Sequence, residues 1–427
     1  MKITYITHAC LLIEIGKVKI ITDPWLTGPC WGGSLWHYPT HNFTPKNLPV
    51  PDYIFYSHGH DDHYHYETIK NFPTSWFNAK IIAPNFGEEW WNDSLESKFK
   101  KIVFLNHEQK YEINKDLKLQ VFMNDKGDCD SSLKIITKKK NIFLQTDNLM
   151  SFSEAKKICS YGKIDVAFVI PFLTGVFPGF YSWKSETLIK LGKEKINKSL
   201  DYCSEIVRHL KPKYVIPYAC DLGYLGDQFH VNLIHTHNKN DLANMIKKKN
   251  LKSKPIVLNP GDNIKMNGTF KKQINYKNID QMESLIRFAN EKNSEYKKYL
   301  LKENRQKNPK LNKLAIIFLK KLKNNLHSLK KFNFQTLINI LEGEKKKKIL
   351  LDFKNKKFHL VNDSFKKPTN LVINIQSNKI RNLINKKYQM NFLTFHNGGY
   401  TCQRSKMNLT MAEKKYWDWI NNLNFFI

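Results

Sequence analysis

The chain has 427 residues, of which 41% are hydrophobic and 13% aromatic, enough for a large core in two or three domains. Its seven scattered cysteines are odd in number and include no Cys-x-x-Cys pair, which excludes a disulfide framework and a zinc knuckle and favours a reducing, cytoplasmic setting. Residues 1–6 are strand-like and no apolar run approaches membrane-spanning length, so we predict neither secretion nor a transmembrane segment.

The net charge of +31 is concentrated in the second part of the chain. Residues 1–240 carry 29 Lys and Arg against 25 Asp and Glu, whereas residues 241–427 carry 40 against 13. A basic surface of this kind is typical of proteins that bind nucleic acid or anionic membranes. Only five of the 69 basic residues are arginine, the side chain favoured in phosphate recognition. We therefore interpret the lysines as a compositional bias, with weak nonspecific polyanion binding as a side effect.

Short apolar runs alternate with helical stretches over residues 1–265, which predicts an α/β domain. Three strands open this domain, at 2–6, 10–15 and 18–21. Further strands are predicted at 54–56, 80–83, 101–105, 117–122, 133–137, 142–146, 166–170, 214–216 and 255–258. A helix over 183–210 has apolar residues at helical spacing and should cover one face of a sheet.

The basic part of the chain has a different organisation. Two Lys-rich helices are predicted at 279–304 and 313–324, within a helical region that we delimit as 266–345. Residues 346–427 should form a small α+β unit, with strands at 349–352, 358–361, 371–375 and 391–395 and a helix at 411–423.

Metal-binding residue types follow the apolar strand at 54–56. Residues 58–63 contain three histidines and two aspartates. A strand that ends in this turn would deliver His58 and His60 to one side of a metal, and would leave Asp62 and His63 for a second ion or for orienting a water. Imidazole and carboxylate groups at this density indicate a first-row transition metal, with zinc as the default and iron or manganese as alternatives.

The His-x-His-x-Asp-His spacing resembles the signature of the metallo-β-lactamase fold superfamily. The resemblance implies an αββα sandwich over residues 1–265, so the expected fold class is α/β with a basic helical and small α+β extension at the carboxyl end. It also implies that Asp23 braces the metal-binding loop. Asp147, at the end of a short buried strand, occupies the position that the family uses for a ligand bridging two metals.

Two ligand positions depart from the hydrolytic members of the superfamily, which have histidines there. The loop after strand 117–122 offers three aspartates instead, and its placement relative to the next strand favours Asp128, with Asp125 and Asp130 as alternatives. After strand 214–216 the chain reads Pro-Tyr-Ala-Cys-Asp in place of the second histidine. Replacing imidazole by anionic oxygen favours a harder or less tightly held ion, so the centre could be mononuclear or hold iron.

Several segments are similar to the metallo-β-lactamase-like part of CMP-N-acetylneuraminate hydroxylases and their bacterial relatives. They are residues 23–29, 128–132, 171–180 and 258–262. That family takes electrons from a Rieske iron–sulfur centre, which needs Cys-x-His and Cys-x-x-His pairs. The sequence contains no such pair. If the chain is an oxygenase component, the resemblance therefore implies a separate redox partner.

We predict a metal-dependent hydrolase, because a bound ion that lowers the pKa of water supplies a nucleophile without further cofactors. One or two zinc ions are expected, with iron as the alternative. One ion would be held by His58, His60 and Asp128. A second would be held by Asp62, His63 and Asp147, or these residues would orient the attacking hydroxide. His8, after the first strand, is a candidate proton donor in the same cleft.

Aromatic residues crowd two loops near the predicted site and indicate the substrate class. Trp25 and Trp36 follow Asp23, and Phe177 and Tyr181 lie in the loop after strand 166–170. Aromatic rings at the mouth of a metal site suit sugar faces or nucleobases, so we predict a sugar, sugar-phosphate or nucleotide-sugar substrate. Packing of the two loops on each other is the alternative interpretation. The alternative functions are an iron-dependent oxygenase component and, because of the basic half, a nucleic-acid processing nuclease.

Overall fold

The computed structural model describes residues 1–172, 177–234, 239–265, 270–271, 281–305, 309–324, 326, 331–384, 401–404 and 415. Within these ranges the amino-terminal part forms strands β1 (Lys2–Thr7), β2 (Cys10–Ile15), β3 (Val18–Thr22), β4 (Leu35–Trp36), β5 (Tyr53–Phe55), β6 (Lys80–Pro84), β7 (Ile102–Leu105), β8 (Lys110–Asn114), β9 (Leu117–Met123), β10 (Ser131–Thr137), β11 (Asn141–Leu144), β12 (Val166–Val169), β13 (Tyr214–Pro217), β14 (Gly223–Tyr224), β15 (Lys254–Pro255), β16 (Asn263–Lys265) and β17 (Phe270–Lys271). Its helices are α1 (Tyr66–Lys70), α2 (Glu89–Glu96), α3 (Phe152–Ser160), α4 (Ser185–Leu210), α5 (Val231–Ile234) and α6 (Lys239–Lys248).

Two mixed sheets face each other in this part of the molecule. In the described residues the first sheet has the order β17-β16-β1-β2-β3-β5-β6-β7, and the second has the order β15-β13-β12-β11-β10-β9-β8. Alternation along β2 decides which side chains enter the space between them: Leu11 and Ile13 join the core between the sheets, whereas Cys10 and Leu12 join the cluster on the outer face. The parallel strands β11, β12 and β13 are apolar along most of their length because both of their faces are covered.

Helices cover the outer face of each sheet. Ile69 of α1 and Trp91 of α2 pack with the outward-facing residues of the first sheet. Helices α3, α4 and α6 contribute apolar residues to the core of the second sheet, among them Ile158, Ile206 and Leu242. This order of helix layer, two sheets and helix layer confirms the predicted αββα sandwich.

The carboxyl-terminal part contributes two long helices and a further sheet. The helices are α7 (Gln281–Asn304) and α8 (Leu311–Asn324), followed by strands β18 (Gln335–Glu342), β19 (Lys345–Asp352), β20 (Lys357–Val361) and β21 (Leu371–Gln376), helix α9 (Ser377–Ile384) and strand β22 (Thr401–Arg404). In the described residues the sheet has the order β20-β19-β18-β21-β22. Its first strand begins at Gln335, ahead of the boundary at 346 that we drew from the sequence.

The predicted strands of the first part are confirmed in position, except that β15 is shorter than the predicted 255–258 strand. The strands that were not predicted are β4, β8, β14, β16, β17, β18 and β22. The predicted strand at 391–395 and helix at 411–423 lie outside the described residues. Across the part of the chain that the structure describes, no helix is both long enough and apolar enough to cross a membrane.

Candidate metal centre

The histidine run lies in the loop that follows β5, where Asp23 holds it in place. The Asp23 carboxylate accepts hydrogen bonds from the Ser57 backbone N–H and hydroxyl, both at 2.7 Å, and its Oδ2 lies 3.0 Å from Nδ1 of His63. A carboxylate only accepts, so Nδ1 of His63 carries the proton in this bond. The aspartate thus contacts the loop as the sequence predicts, and it leaves Nε2 of His63 facing the other way.

Ser57 links Asp23 to His58 and fixes the orientation of the His58 ring. Its hydroxyl hydrogen is donated to Asp23, so the Ser57 oxygen must accept from Nδ1 of His58, 2.8 Å away. Nε2 of His58 is consequently a bare lone pair, and it is buried with no hydrogen-bond partner in the described residues. Nε2 of His63 is also buried and has no hydrogen-bond partner among the described residues.

One group of potential ligands contains His58, His60 and Asp130, whose ligand atoms lie within 4.8 Å of one another. Oδ1 of Asp130 is 3.7 Å from Nε2 of His58. Asp130 immediately precedes β10, and the hydroxyl of the next residue, Ser131, donates to the Ser57 carbonyl at 2.7 Å. This bond ties the turn between β9 and β10 to the histidine loop.

A second group contains His8, Asp62 and His63. Nε2 of His8 lies 3.2 Å from Oδ2 of Asp62. His8 adopts a left-handed φ of 44° in the turn between β1 and β2, a conformation that is unusual for a residue with a side chain. The backbone of His8 is fixed there: its carbonyl accepts from the N–H of Ala219, and its N–H donates to Asp221 at 3.3 Å. Strained backbone of this kind tends to occur at functional sites.

Asp147 lies between the two groups, in the loop after β11. Its Oδ2 is 3.9 Å from both Nε2 of His58 and Nδ1 of His60, and its Oδ1 is 3.4 Å from Nε2 of His63. The preceding residue, Thr146, has a left-handed φ of 54° and donates its backbone N–H to the Tyr218 hydroxyl. Asp147 therefore faces both groups, as required of a bridging ligand.

The electrostatics of the cluster fit a cation. Burial, followed by the neighbouring His63 and His60, lowers the pKa of His58 well below its ordinary value, which leaves the neutral imidazole that metals bind. Burial raises the pKa of Asp130 to about 7. Buried ring nitrogens without partners and crowded carboxylates are costly unless a counter-ion satisfies them. The residues present thus fit one or two divalent ions.

Asp128, which we predicted as the ligand beside His58 and His60, does not lie at this centre. It is exposed near the tip of the turn, which the left-handed Gly127 helps to form, whereas Asp130 sits beside the first residue of β10. Asp125 instead accepts a hydrogen bond from the N–H of Ser151, the residue that caps α3. Of the three aspartates that the sequence left open, Asp130 is the one in reach of the histidines.

The aromatic residues predicted to bind substrate are mostly in the core. Trp25, Trp36 and Tyr181 are 1%, 2% and 3% exposed, so they cannot form an open sugar-binding face. Trp25 stacks on His37 at 3.8 Å, and Tyr181 packs in parallel on Trp183. Phe177 is half-buried and belongs to the same cluster as Tyr181. Trp25, Phe177 and Tyr181 belong to one hydrophobic cluster, as the alternative interpretation predicts, whereas Trp36 packs against Tyr296 and Tyr299 of α7.

Trp31 is a site residue that the sequence did not single out. Its indole Nε1 donates to Oδ1 of Asp62 at 3.0 Å, and its backbone N–H donates to Oδ2 of Asp61 at 2.6 Å. Its ring lies edge-on to His60, with the centroids 5.5 Å apart. The two glycines that follow Trp31 were an available signal, since paired glycines permit a tight left-handed turn.

A comparison with known protein families agrees with the predicted fold superfamily. Residues 2–151 match the family described as the Beta-lactamase superfamily domain. Cytidine monophosphate-N-acetylneuraminic acid hydroxylase from Xenopus laevis is 26% identical over 261 residues, 57% of this chain and 42% of the relative. The enzyme of the same name from Cricetulus griseus is 25% identical over 270 residues, 61% of this chain and 44% of the relative. The chain thus spans less than half the length of these curated relatives.

Solved structures with similarity include a mutant of CmlA beta-hydroxylase and an isothiocyanate hydrolase from Delia radicum gut bacteria. The first has 16% identity and a TM-score of 0.43, and the match covers 62% of this chain and 54% of the other. The second has 14% identity and a TM-score of 0.42, and the match covers 62% of this chain and 99% of the other.

Proposed function

We propose that this chain, whose residues 2–151 match the Beta-lactamase superfamily domain, is a hydrolase with a two-ion metal centre. The observation that carries the proposal is that a buried group and a partly buried group, each of two histidines and one aspartate, meet at Asp147. Two histidines and one carboxylate are the protein ligands of several catalytic zinc sites, which leave a position for water. When bound, such ions lower the pKa of water and supply a nucleophile at neutral pH.

The chain's own residues have distinct roles in this proposal. One ion would be held by His58, His60 and Asp130, the second by His8, Asp62 and His63, and Asp147 would contact both. Asp23 fixes the ring orientation of His63 directly and of His58 through Ser57, which keeps Nε2 of each ring available. His8 then serves as a ligand beside Asp62, in place of the proton donor predicted from the sequence.

The proposed substrate class is a sugar, sugar-phosphate or nucleotide-linked sugar. Its support is the set of curated relatives, whose names refer to a cytidine monophosphate-linked N-acetylneuraminic acid. Trp25, Trp36 and Tyr181 are buried and cannot stack on a sugar, so recognition of the substrate would depend on other residues. Trp90 is one candidate, because its ring lies directly over Gly59 in the histidine loop.

An iron-dependent oxygenase component is the second candidate. The names of the curated relatives favour it, and two histidines with one carboxylate are also the ligand set of non-haem iron oxygenases. Since the sequence has no Rieske-type cysteine and histidine pairs, electrons would come from a separate donor.

Metal content and metal-dependent turnover test the proposal. Protein purified without a metal-binding tag, from growth with both zinc and iron, should contain about two ions per chain. Zinc-loaded protein should hydrolyse members of a panel of sugar phosphates, nucleotide sugars and lactones without a reductant. Iron content with turnover that requires a reductant and oxygen would instead support the oxygenase, and activity restored by zinc alone would exclude it.

A double variant provides the control on the site. His58→Ala with His60→Ala should lose both metal and turnover while circular dichroism shows a folded protein. His359→Ala, which removes an exposed histidine on β20, should change neither property. Undiminished turnover in the double variant would contradict the proposal.

A further inference from the structure

We infer that the carboxyl-terminal unit helps to position a ligand of the metal centre. Lys379 of α9 holds the turn at Trp31–Gly33, and this turn positions Asp62. The inference rests on the proposed function, because it treats Asp62 as a ligand of the second ion. It assigns a role to a part of the chain, residues 281–384, that the comparison with the β-lactamase superfamily does not cover.

The turn itself has an unusual backbone. Trp31, Gly32 and Gly33 have φ angles of 50°, 63° and 90°, so three successive residues are left-handed. A tryptophan in this conformation is strained, and such a turn persists only where its surroundings hold it. Contacts on both sides of the turn provide that support.

On one side the turn holds the acidic residues of the histidine loop. Trp31 donates its backbone N–H to Asp61 and its indole N–H to Oδ1 of Asp62. Oδ1 is therefore occupied, and Oδ2 is the oxygen that lies 3.2 Å from Nε2 of His8 and 3.9 Å from Nε2 of His63. A shift of the indole would release Oδ1 and let the carboxylate rotate away from the two histidines.

On the other side the turn is held by the carboxyl-terminal unit. Nζ of Lys379 donates to the Gly32 carbonyl at 2.6 Å, and the side chain is 4% exposed. Burying an ammonium is costly, so a lysine in this position needs hydrogen bonds that compensate. The ammonium also lies 5.8 Å from the ring centroid of Tyr299 in α7, which adds a cation–π attraction.

Packing around Lys379 makes the contact rigid. The Tyr299 ring lies so close over Gly33 that a Cβ there would stand 2.2 Å from it, which explains why glycine is needed. Next to Lys379, Arg381 donates to the Glu303 carbonyl at 3.1 Å and Asn382 donates to the Glu303 carboxylate. Helices α7 and α9 are thus bonded to each other beside the turn.

The apolar residues extend the same junction. Trp31 and Leu35 belong to one hydrophobic cluster with Phe318 of α8 and Ile380 of α9. The carboxyl-terminal unit therefore shares a core with the loop that orients Asp62, which couples the position of the unit to that of the ligand.

The experiment compares two buried lysines of the same unit. Lys379→Met removes the ammonium but keeps most of the side-chain volume. Lys348→Met is the matched control, because Lys348 is also buried and donates to two carbonyls, those of Asp363 and Phe365, which lie outside the Trp31 turn. Zinc affinity is measured for each ion by chelator competition, and the Co²⁺-substituted proteins are compared by absorption spectroscopy.

We expect Lys379→Met to lower the affinity for one of the two ions by about tenfold, as is usual for outer-shell partners of a metal ligand. The affinity for the other ion should not change. Trp31→Phe should weaken the same ion, and the double variant should be no worse than the stronger single variant, since both act on Asp62. Lys379→Arg should recover part of the loss. Lys348→Met should lower the melting temperature without changing either affinity or the Co²⁺ spectrum.

The outcomes separate the two proposals. Equal affinities in Lys379→Met and wild type, or a loss of both ions that Lys348→Met reproduces, would overturn the inference alone. A wild-type protein that binds no ion would overturn the proposed function and the inference together.

Discussion

In the described residues two clusters combine histidine with carboxylates, and we infer that only the first of them is suited to a metal. The first is the centre around His58 and His63. The second consists of His107 and Glu108, in the loop between β7 and β8, and Glu154 of α3. In both clusters the ligand atoms lie within 4.8 Å of one another. Both clusters thus place imidazole and carboxylate groups close together, and the first difference between them is what the other ring nitrogen contacts.

In the second cluster the histidine Nδ1 accepts a hydrogen bond, whereas at His63 the same atom donates one. Nδ1 of His107 accepts a hydrogen bond from the Met123 N–H at 3.1 Å, so the neutral ring carries its proton on Nε2. Nε2 is the atom that faces Glu108 at 3.4 Å and Glu154 at 3.6 Å. In the neutral ring this nitrogen therefore bears a hydrogen and offers no lone pair to a cation. At His63 the partner is the Asp23 carboxylate, which accepts a hydrogen bond from Nδ1–H, so Nε2 of the neutral ring has no proton.

The carboxylates differ as well. Glu108 already has a cation beside it, because Nζ of Lys157 is 2.5 Å from its Oε1, and the Tyr161 hydroxyl donates to its Oε2. These hydrogen bonds, with Lys157 as the largest effect, lower the pKa of Glu108. At the metal centre the nearest partners of Asp147 are the histidines. We infer from this comparison that the hydrogen-bond partners behind a cluster determine whether it can hold a metal.

The largest effect should come from removing a ligand. Asp130→Asn should weaken the ion held with His58 and His60 by more than about 100-fold, the upper end of what outer-shell changes cause. Asp128→Asn is the matched control in the same turn and should leave the affinity unchanged, because Asp128 is exposed. Chelator competition measures both. The reverse result would return the ligand role to Asp128.

A smaller effect should come from changing the partner behind the histidines. Asp23→Asn keeps the shape of the side chain but can no longer require a proton on Nδ1 of His63 or draw the Ser57 hydroxyl hydrogen. The affinity for both ions should fall by about 10- to 100-fold. Ser57→Ala removes only the link to His58, so it should weaken mainly the ion that His58 holds. Affinities unaffected by Asp23→Asn would mean that the outer partner does not decide between the two clusters.

The sequence predicted those parts of the site that depend on local spacing. His58, His60, Asp62 and His63 follow one strand within six residues, and Asp147 follows another, so strand prediction alone places them at one edge of the sheets. The two sheets and their helices were also predictable, because alternation along strands and helical spacing are local patterns.

The parts that could not be predicted depend on geometry or distant contacts. Asp130 and Asp128 differ by two residues in one turn, and only the pairing of β9 with β10 shows which of them faces the histidines. His8 joins Asp62 through a left-handed turn held by residues more than 200 positions away. The contact of Lys379 with Gly32 spans 347 residues, and no sequence pattern indicates it.

The smallest effect, and the sharpest check on the comparison, should come from the second cluster. His107→Ala should leave the metal stoichiometry of the protein unchanged, because Nε2 of the neutral His107 ring carries a hydrogen and has no lone pair for a metal. The free energy of unfolding should fall by about 1 kcal/mol or less, since a partly exposed ring loses one net hydrogen bond. Chemical denaturation and metal analysis on the same sample give both values. A loss of one bound ion in this variant would show that hydrogen-bond polarity does not distinguish the two clusters.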